Sequence, residues 1–232
     1  MQVVILAGGL GTRLWPLTKE VPKPMVPVAG VPYLERQLQL LAKQQLRNVL
    51  ILTAYLGEQI ESYFGDGNRL GLSIQYSRER EPLGTGGALR EACPLLDEIF
   101  VVVYGDSYLP IEYAAVGRRL ALSGTWGALV LYQDPSGETG VRNNVALSGD
   151  GLVTRYDKTA IEDQELQYIE AGVLALRRQA LALAPSEAKF SLERELFPHL
   201  IERRALLGLP TQQRFYDIGT MDRLKVIEQL FA

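Results

Sequence analysis

Residues 2–14, Gln2-Val-Val-Ile-Leu-Ala-Gly-Gly-Leu-Gly-Thr-Arg-Leu14, join a short apolar strand to a glycine-rich turn. The glycines at positions 8, 9 and 11 have no Cβ to keep a ligand from the backbone, and they permit positive φ. Successive backbone N–H groups of such a turn can point at phosphate oxygens, and the guanidinium of Arg13 adds a fixed positive fork. The stretch therefore predicts a polyphosphate site at the end of a first strand.

Two well-known phosphate-binding motifs do not fit this turn. The ATPase P-loop requires a Gly-Lys-Ser/Thr ending, and Arg13-Leu14 stands there instead. The dinucleotide fingerprint needs a third glycine where Leu14 lies, and no acidic residue convincingly ends a second strand about twenty residues further on. These departures disfavour an NAD-dependent oxidoreductase. A tight turn that binds no ligand is the structural alternative.

The composition is that of a folded chain. Of 232 residues, 47% are hydrophobic and 22% are charged, so a sizeable core can be buried and intrinsic disorder is excluded. Lys and Arg number 24 against 27 Asp and Glu, and the net charge of −3 offers no basic excess for nucleic acid. A single cysteine, Cys93, excludes an internal disulfide framework. No apolar run is long enough for a signal peptide or a membrane span, so we expect a soluble cytoplasmic protein.

Short β-rich runs alternate with helical patterns, which predicts a mainly parallel sheet covered by helices. The predicted strands are Gln2–Leu6, Asn48–Thr53, Ser73–Tyr76, Ile99–Tyr104, Gly127–Tyr132, Asn144–Leu147, Leu152–Tyr156 and Gln167–Leu176. The predicted helices are Tyr33–Gln45, Glu58–Phe64, Thr85–Ala92, Glu112–Ser123, Leu192–Arg203 and Met221–Phe231. Ser191 and Thr220 are plausible N-caps of the last two.

No linker rich in Pro, Gly and Ser is long enough to separate two domains. The sequence therefore predicts one α/β domain over residues 1–232, a Rossmann-like mixed, mainly parallel sheet flanked by helices. We expect a nucleotide-binding half over about 1–132 and a more irregular second half over about 133–232.

A second motif, Val21-Pro-Lys-Pro-Met25, follows the glycine turn. Each proline fixes its own φ and restricts the residue before it, so Lys23 emerges from a stiff, extended backbone. A stiff mount reduces the entropy lost when a lysine engages a ligand. Alone, the motif would describe a surface lysine in a proline-rich turn. Beside the glycine turn, it favours a phosphate-binding lysine.

Together, Leu6-Ala-Gly-Gly-Leu-Gly-Thr-Arg-Leu14 and Pro22-Lys-Pro-Met25 resemble the signature of sugar-1-phosphate nucleotidylyltransferases. These enzymes join a nucleoside triphosphate to a sugar 1-phosphate and release pyrophosphate. The resemblance extends from Met1 to about Leu224 and implies a nucleotidyltransferase fold of the GT-A-like type. It further implies that Lys23 contacts the reacting phosphates and that the triphosphate is held by Leu6, Ala7, Gly8, Gly9, Gly11, Thr12 and Arg13.

Charge predicts a metal ion. The two substrates would bring about six negative charges, and Mg2+ held by one or two carboxylates is the expected counter-charge. Asp106 follows an apolar strand, at the sheet edge where open α/β sheets bind ligands, and Asp217 lies in Phe215-Tyr-Asp-Ile-Gly-Thr220. Both match the family's two metal-binding aspartates, although turn capping is the structural alternative for each. The resemblance implies a catalytic set of Arg13, Lys23 and Asp106.

The segment Glu79-Arg-Glu-Pro-Leu-Gly-Thr-Gly-Gly-Ala88 resembles the family's nucleobase-recognition loop, which implies nucleotide contacts from Glu79, Pro82, Gly84 and Thr85. The glycines of this loop would let a flat base lie against the backbone, and Thr85 would cap the following helix. A carboxylate only accepts hydrogen bonds, and the pairing edge of guanine offers two adjacent donors, so Glu79 favours GTP. Glu81 or backbone groups are alternative readers of the base.

On the sugar side, Tyr156-Asp-Lys158 and Glu170-Ala-Gly172 resemble the family's Glu-Lys and Asn-Ala-Gly elements. The resemblance implies that Lys158 binds the sugar phosphate and that Glu170 and Gly172 contact the sugar. Glutamate in place of asparagine adds charge and removes a donor, so the sugar specificity of the family does not transfer. The base loop is closest to guanylyltransferases for mannose- or D-glycero-D-manno-heptose 1-phosphate, and muramic-acid-1-phosphate uridylyltransferases are nearly as close.

The sequence thus predicts a Mg2+-dependent enzyme of glycan biosynthesis that uses a nucleoside triphosphate, with GTP favoured, and a sugar 1-phosphate, and it allows a homo-oligomer. A uridylyl- or thymidylyltransferase and a non-catalytic nucleotide-binding module are the alternatives, and the presence of both Asp106 and Asp217 favours the enzyme. A sugar phosphate oxygen is already a nucleophile, so no side chain needs activation. His199, on a helical segment, and Cys93, expected in a helix packed in the core, are therefore assigned structural roles.

Overall fold

A computed structural model describes residues 1–161 and 163–231 of the protein. Strands occur along most of the chain. They are β1 (Gln2–Leu6), β2 (Pro27–Val28), β3 (Val31–Pro32), β4 (Asn48–Thr53), β5 (Ser73–Arg78), β6 (Ile99–Tyr104), β7 (Ser107–Tyr108), β8 (Gly127–Tyr132), β9 (Val145–Leu147), β10 (Val153–Tyr156), β11 (Ile169–Arg177), β12 (Leu206–Thr211) and β13 (Tyr216–Asp217).

Helices lie between most of these strands. The α-helices are α1 (Tyr33–Lys43), α2 (Gly57–Phe64), α3 (Gly84–Glu91), α4 (Tyr113–Ser123), α5 (Phe197–Glu202) and α6 (Met221–Phe231). A π-helical turn, Leu192–Leu196, precedes α5. Shorter 3₁₀ turns lie at Thr12–Leu14, Leu17–Lys19, Lys23–Met25, Asn68–Leu70, Cys93–Leu95 and Arg178–Leu183. Among the helices of the described residues, none is long and apolar enough to cross a membrane.

In the described part of the chain, seven strands form one sheet in the order β12-β8-β11-β6-β1-β4-β5. The pairs β1–β4, β1–β6, β4–β5 and β8–β12 are parallel, whereas β11 runs antiparallel to its neighbours β6 and β8. The central strands are almost continuously apolar because both faces of the sheet are covered. This mixed, mainly parallel sheet flanked by helices confirms the predicted fold class. Its strands come from both sides of residue 132.

Each face of the sheet buries its own apolar core, because successive side chains of a strand point to opposite faces. Val3 of β1 packs in a cluster with α1, α2 and α4, and its neighbour Val4 packs in a cluster with α3 and α5. The apolar face predicted for α1 is confirmed, since Leu34, Leu38 and Leu41 are all buried in the first of these clusters. Together the two cores hold the carboxyl ends of β1 and β6 side by side.

A third apolar cluster joins the beginning of the chain to its end. Leu14, from the glycine-rich motif, packs with Tyr33 at the start of α1 and with Ile218. Beside this cluster, β7 and β13 form a short antiparallel pair in which Asp217 lies opposite Ser107. Segments more than a hundred residues apart therefore meet at the carboxyl end of β6.

Most predicted elements are present, with shifts of one or two residues at their ends. Strand β12 was not predicted, because Gly208 and Pro210 interrupt its short apolar pattern. Proline is tolerated there because β12 is an edge strand of the sheet. Cys93 was predicted in a core helix, but it lies in a 3₁₀ turn and is only half-buried.

The helix predicted over Leu192–Arg203 is in fact the π-helical turn followed by α5. Its predicted N-cap is confirmed, since the Ser191 side chain accepts a hydrogen bond from the Arg194 backbone N–H at 3.1 Å. The Thr220 hydroxyl accepts from the Arg223 N–H at 3.4 Å ahead of α6. π-Helical turns are rare and frequent at functional sites, which directs attention to the side chains of this turn.

Candidate active site

A cavity of about 580 Å3 opens at the carboxyl ends of β1 and β6, the edge at which open α/β sheets bind ligands. The residues predicted for nucleotide and phosphate binding that line it are Leu6, Ala7, Gly8, Gly9, Gly11, Thr12, Arg13, Lys23, Glu79, Pro82, Gly84, Thr85, Asp106 and Lys158. The other predicted site residues, Asp217, Glu170 and Gly172, do not line this cavity.

The glycine turn approaches the cavity with its backbone. A Cβ at Gly9 would meet nothing within 4 Å, so this residue presents bare main chain to the open space. Gly11 has φ +64°, and a Cβ there would lie 2.9 Å from the Cβ of Lys23. Glycine is required at position 11 both for the left-handed backbone and for the close passage of the lysine. The two sequence motifs are therefore packed against each other.

Lys23 and Asp106 form an ion pair on the wall of this cavity, with 2.5 Å between Nζ and Oδ2. Lys23 is nearly buried, at 8% exposure, whereas about a third of the Asp106 side chain is exposed. Burial alone would raise the pKa of Asp106, but the charge of Lys23, with smaller contributions from Lys158 and Arg13, holds that pKa below its usual range. Asp106 is therefore ionised at neutral pH.

Of the two predicted metal-binding aspartates, Asp106 immediately precedes β7 and Asp217 ends the adjoining strand β13. The Ile218 N–H donates to the Asp106 carbonyl oxygen at 3.1 Å, which ties the two segments together. The Asp217 carboxylate accepts from the Gly219 N–H at 2.6 Å and from Arg223 Nη1 at 3.2 Å. Across residues 1–161 and 163–231, no cluster of three or more His, Cys, Asp or Glu could hold a metal by protein ligands alone.

Glu79 is nearly buried at the base loop, where its Oε2 accepts from the Leu83 N–H at 2.7 Å. Burial raises the pKa of this carboxyl group. A Cβ at Gly8 would lie 3.0 Å from Glu79 Oε1, so the carboxylate passes directly beside the glycine turn. The acidic side chain therefore lies between the base loop and the phosphate-binding turn.

The glycines of the base loop have a different use from the one predicted. A Cβ at Gly86 would lie 2.1 Å from the Phe190 ring, and one at Gly87 would lie 2.4 Å from the Ala188 carbonyl oxygen. Both N–H groups donate to the Phe190 carbonyl oxygen. These two glycines admit the segment 188–190 to the surface of α3, and the prediction that they accommodate a flat base is wrong.

Thr85 does not cap α3, because that helix already begins at Gly84. Its hydroxyl accepts from the Leu192 N–H at 2.9 Å and donates to Glu193 Oε2 at 2.7 Å. The predicted cap is therefore wrong: the hydroxyl supports the π-helical turn of the second half instead.

Glu193 is a cavity-lining carboxylate that the sequence analysis missed. It accepts from the hydroxyls of Tyr104, Thr85 and Ser191 at 2.6, 2.7 and 2.8 Å. Burial alone would raise the pKa of Glu193, but the charge of Lys158 and the hydrogen bonds from Tyr104 and Thr85 more than offset this effect and leave the pKa lowered. The only sequence signal was its position two residues after a helix-capping serine, which by itself indicates a first-turn acid rather than a binding residue.

The three predicted sugar-side residues lie together, with Lys158 at the cavity and Glu170 and Gly172 behind it. Lys158 lines the cavity, and its Nζ is 3.3 Å from Glu170 Oε2 and 4.0 Å from Glu193 Oε1. Glu170 is buried, and its Oε1 accepts from the Gly172 N–H at 2.9 Å. Gly172 has φ +78°, and a Cβ there would lie 2.4 Å from the Ser107 side chain, so only glycine fits.

Comparison with known proteins identifies the class to which this architecture belongs. The family model described as nucleotidyl transferase matches residues 2–229, and the chain belongs to that family. It is similar to D-glycero-alpha-D-manno-heptose 1-phosphate guanylyltransferase of Campylobacter jejuni, at 34% identity over 94% of this chain and 95% of that protein. It is also similar to UTP–glucose-1-phosphate uridylyltransferase of Synechocystis, at 30% identity over 97% of this chain but only 61% of the relative. The resemblance inferred from the two motifs is confirmed.

Solved structures agree with this assignment. The crystal structure of HddC from Yersinia pseudotuberculosis has a TM-score of 0.84 and 26% identity, covering 100% of this chain and 99% of that one. A second crystal structure of HddC, complexed with GMP-PN, matches equally well.

The Lys23–Asp106 pair predicts a pH-dependent loss of stability in Lys23→Met. Because the pKa of Asp106 is lowered in the folded state, its ionisation stabilises the fold above the unfolded pKa of about 4, and this contribution is lost as pH falls through the folded pKa. We expect urea unfolding to show the variant less stable than wild type at neutral pH, with a difference that narrows in acid. A difference that is constant across the pH series would contradict the electrostatic account.

Proposed function

We propose that the protein is a sugar-1-phosphate nucleotidylyltransferase that transfers a nucleoside monophosphate from a triphosphate to a sugar 1-phosphate and releases pyrophosphate. The observation that carries this proposal is the meeting, in one cavity, of the glycine turn, the Lys23–Asp106 pair and Lys158. The phosphates of one substrate fit the turn, and those of the other fit the lysine from the second half. Membership of the nucleotidyl transferase family supports the same reaction.

The charges around the cavity support a requirement for Mg2+. Among the described lining residues, the charged side chains are the cations Arg13, Lys23 and Lys158 and the anions Glu79, Asp106 and Glu193. These charges cancel, whereas the two substrates would bring about six negative charges. Asp106 at the cavity and Asp217 on the adjoining strand would supply the hard carboxylate oxygens that Mg2+ prefers, and phosphate oxygens and water would complete its ligand set. Bound there, the ion would neutralise charge that develops on the reacting phosphates.

The reaction then follows from positioning and charge. An oxygen of the sugar phosphate attacks the α-phosphorus, a new phosphorus–oxygen bond forms, and the bond to the β-phosphate oxygen breaks as pyrophosphate leaves. Arg13 and Lys23 donate hydrogen bonds to the triphosphate oxygens, where negative charge accumulates. The exposed His199 on α5 takes no part, because the nucleophile needs no general base.

GTP and a heptose or mannose 1-phosphate are the substrates we favour. The guanylyltransferase from Campylobacter jejuni, the HddC complex with GMP-PN and the acceptor-only carboxylate of Glu79 at the cavity support guanine. The similarity to the Synechocystis uridylyltransferase makes a uridylyl transfer the second candidate.

A substrate matrix tests the reaction and its specificity together. We expect pyrophosphate release when four nucleoside triphosphates are combined with mannose, heptose, glucose and muramic acid 1-phosphates, with the greatest kcat/KM for GTP and a manno-configured sugar. Greater activity with UTP would establish the second candidate. Nucleotide binding without any turnover would refute the enzyme and leave a nucleotide-binding module.

Asp106→Asn tests the proposed metal ligand. The substitution retains the size of the side chain but removes the negative charge, so turnover should fall by at least about a hundredfold. Binding of Mn2+ in the presence of the nucleoside triphosphate, followed by electron paramagnetic resonance, should weaken in parallel. Asp222→Asn, at a carboxylate that is 94% exposed on α6, is the matched control and should behave like wild type. Wild-type turnover and Mn2+ binding in Asp106→Asn would refute the assignment.

Glu79→Gln tests the guanine assignment. The amide places a donor where the carboxylate only accepted, so the KM for GTP should rise by about tenfold while the KM for UTP changes little. Glu81→Gln is the control, since that exposed residue lies two positions further on and outside the cavity lining. Equal effects on both nucleotides would remove Glu79 from base recognition.

A further inference from the structure

Glu170 lies just behind the cavity wall in a setting that suits only a carboxylate. Its side chain is 2% exposed, and three donors converge on it. The Gly172 N–H donates to Oε1 at 2.9 Å, and Lys158 Nζ and the Tyr156 hydroxyl approach Oε2 at 3.3 and 3.4 Å. The Glu170 backbone N–H is itself bound to Asn144 Oδ1 at 3.0 Å, which fixes the start of the side chain.

An amide in place of this carboxylate would present a donor to other donors. Gln or Asn has one accepting oxygen and one donating NH2 group, whereas a carboxylate only accepts. If an amide oxygen faced Gly172, its NH2 group would face the ammonium of Lys158. The glutamate that departs from the family's Asn-Ala-Gly element is therefore matched to its neighbours and not merely tolerated.

Of these three hydrogen-bond donors to Glu170, Lys158 is the one that lines the cavity. About half of its side chain is exposed, and its Nζ lies 5.7 and 5.6 Å from the ring centroids of Tyr104 and Tyr156. One N–H of the ammonium points to Glu170, which leaves other donors for a ligand. When it binds an anion, a lysine side chain that is already restrained in this way loses less rotamer freedom than an unrestrained lysine side chain does.

The charged and titratable groups that face Lys158 come from several elements, namely Glu170 on β11, Glu193 on the π-helical turn, Tyr104 on β6, Tyr156 on β10 and Asp106 after β6. Burial lowers the pKa of Lys158, but the charges of Glu170 and Glu193 more than offset this and leave the pKa raised. The ammonium thus stays charged beside the cavity.

We infer that Glu170 is a positioning residue that holds the ammonium of Lys158 at the cavity wall and thereby sets the affinity for the sugar 1-phosphate. The inference rests on the proposed function, because it is the sugar phosphate that Lys158 would bind. It assigns to this glutamate an action through the lysine and no direct contact with the sugar.

The rate at which Lys158 is acylated tests whether Glu170 restrains its ammonium, and the measurement requires no turnover. In Glu170→Gln, acetic anhydride should modify Lys158 about fivefold faster than in wild type, because loss of the charged partner frees the ammonium and favours its neutral form. Peptide mass spectrometry gives the rate, and Lys225 on α6 serves as the internal standard. Glu165→Gln, at a carboxylate that is 80% exposed in the same half, is the matched control and should leave the rate unchanged. An unchanged rate in Glu170→Gln would overturn the inference.

Steady-state kinetics separates positioning from general damage. Glu170→Gln should raise the KM for the sugar 1-phosphate by about tenfold and leave kcat and the KM for the nucleotide within about twofold. In a double-mutant cycle, Glu170→Gln should add almost nothing to Lys158→Ala, because its effect passes through the lysine. Additive losses, or equal losses for both substrates, would overturn the inference.

Two further outcomes distinguish a failure of the proposed function from a failure of the inference about Glu170. If wild type turns over no sugar 1-phosphate, the proposed function fails, while the acylation rates still decide whether Glu170 holds Lys158. If circular dichroism shows that Glu170→Gln does not fold, the acylation rates of the wild-type protein test the inference instead. Its Lys158, 48% exposed, should then react at least about tenfold more slowly than Lys225, 70% exposed, and a ratio close to their exposures would refute the hold.

Discussion

The passage of Lys23 across Gly11 is the constraint on which the site depends. Bare backbone at position 11 lets the lysine pass within contact distance and reach Asp106 at the end of β6. The amino-terminal turn, the proline-mounted lysine and the aspartate of a neighbouring strand thus share one packing arrangement. A side chain at position 11 would push against the lysine, so the cavity depends on this contact for its shape as well as for its charge.

Sheet order explains why residues distant in sequence meet at this point. β1 lies between β4 and β6, so the glycine turn after β1 has Glu79, which follows β5, towards one side and Asp106 towards the other. β11 lies beside β6 and runs against it, which brings Glu170 near the same edge from the opposite chain direction. Parallel strands place their carboxyl ends together, and one reversed strand adds its amino end to them.

Much of the fold and of the candidate site could be predicted from the sequence, because these features depend on short-range sequence patterns. The apolar runs specify β1, β4 and β6 because both faces of these strands are buried, and the leucine spacing specifies α1 because one face of that helix is buried. The glycine turn and Lys23 could be recognised because the Gly and Pro residues in these segments themselves specify the backbone conformation. Glu193 could not, since its place in the cavity depends on a π-helical turn and on hydroxyls from two other elements.

The uses of Thr85 and of the base-loop glycines were also beyond local reasoning, because their partners lie about a hundred residues away. That contact also limits how the chain can be divided. Phe190 packs on α3, and β11 lies between β6 and β8, so segments from before and after residue 132 are interleaved in one sheet. Removing the later segment would leave unpaired strand edges inside the sheet, so neither segment could be exchanged as a cassette.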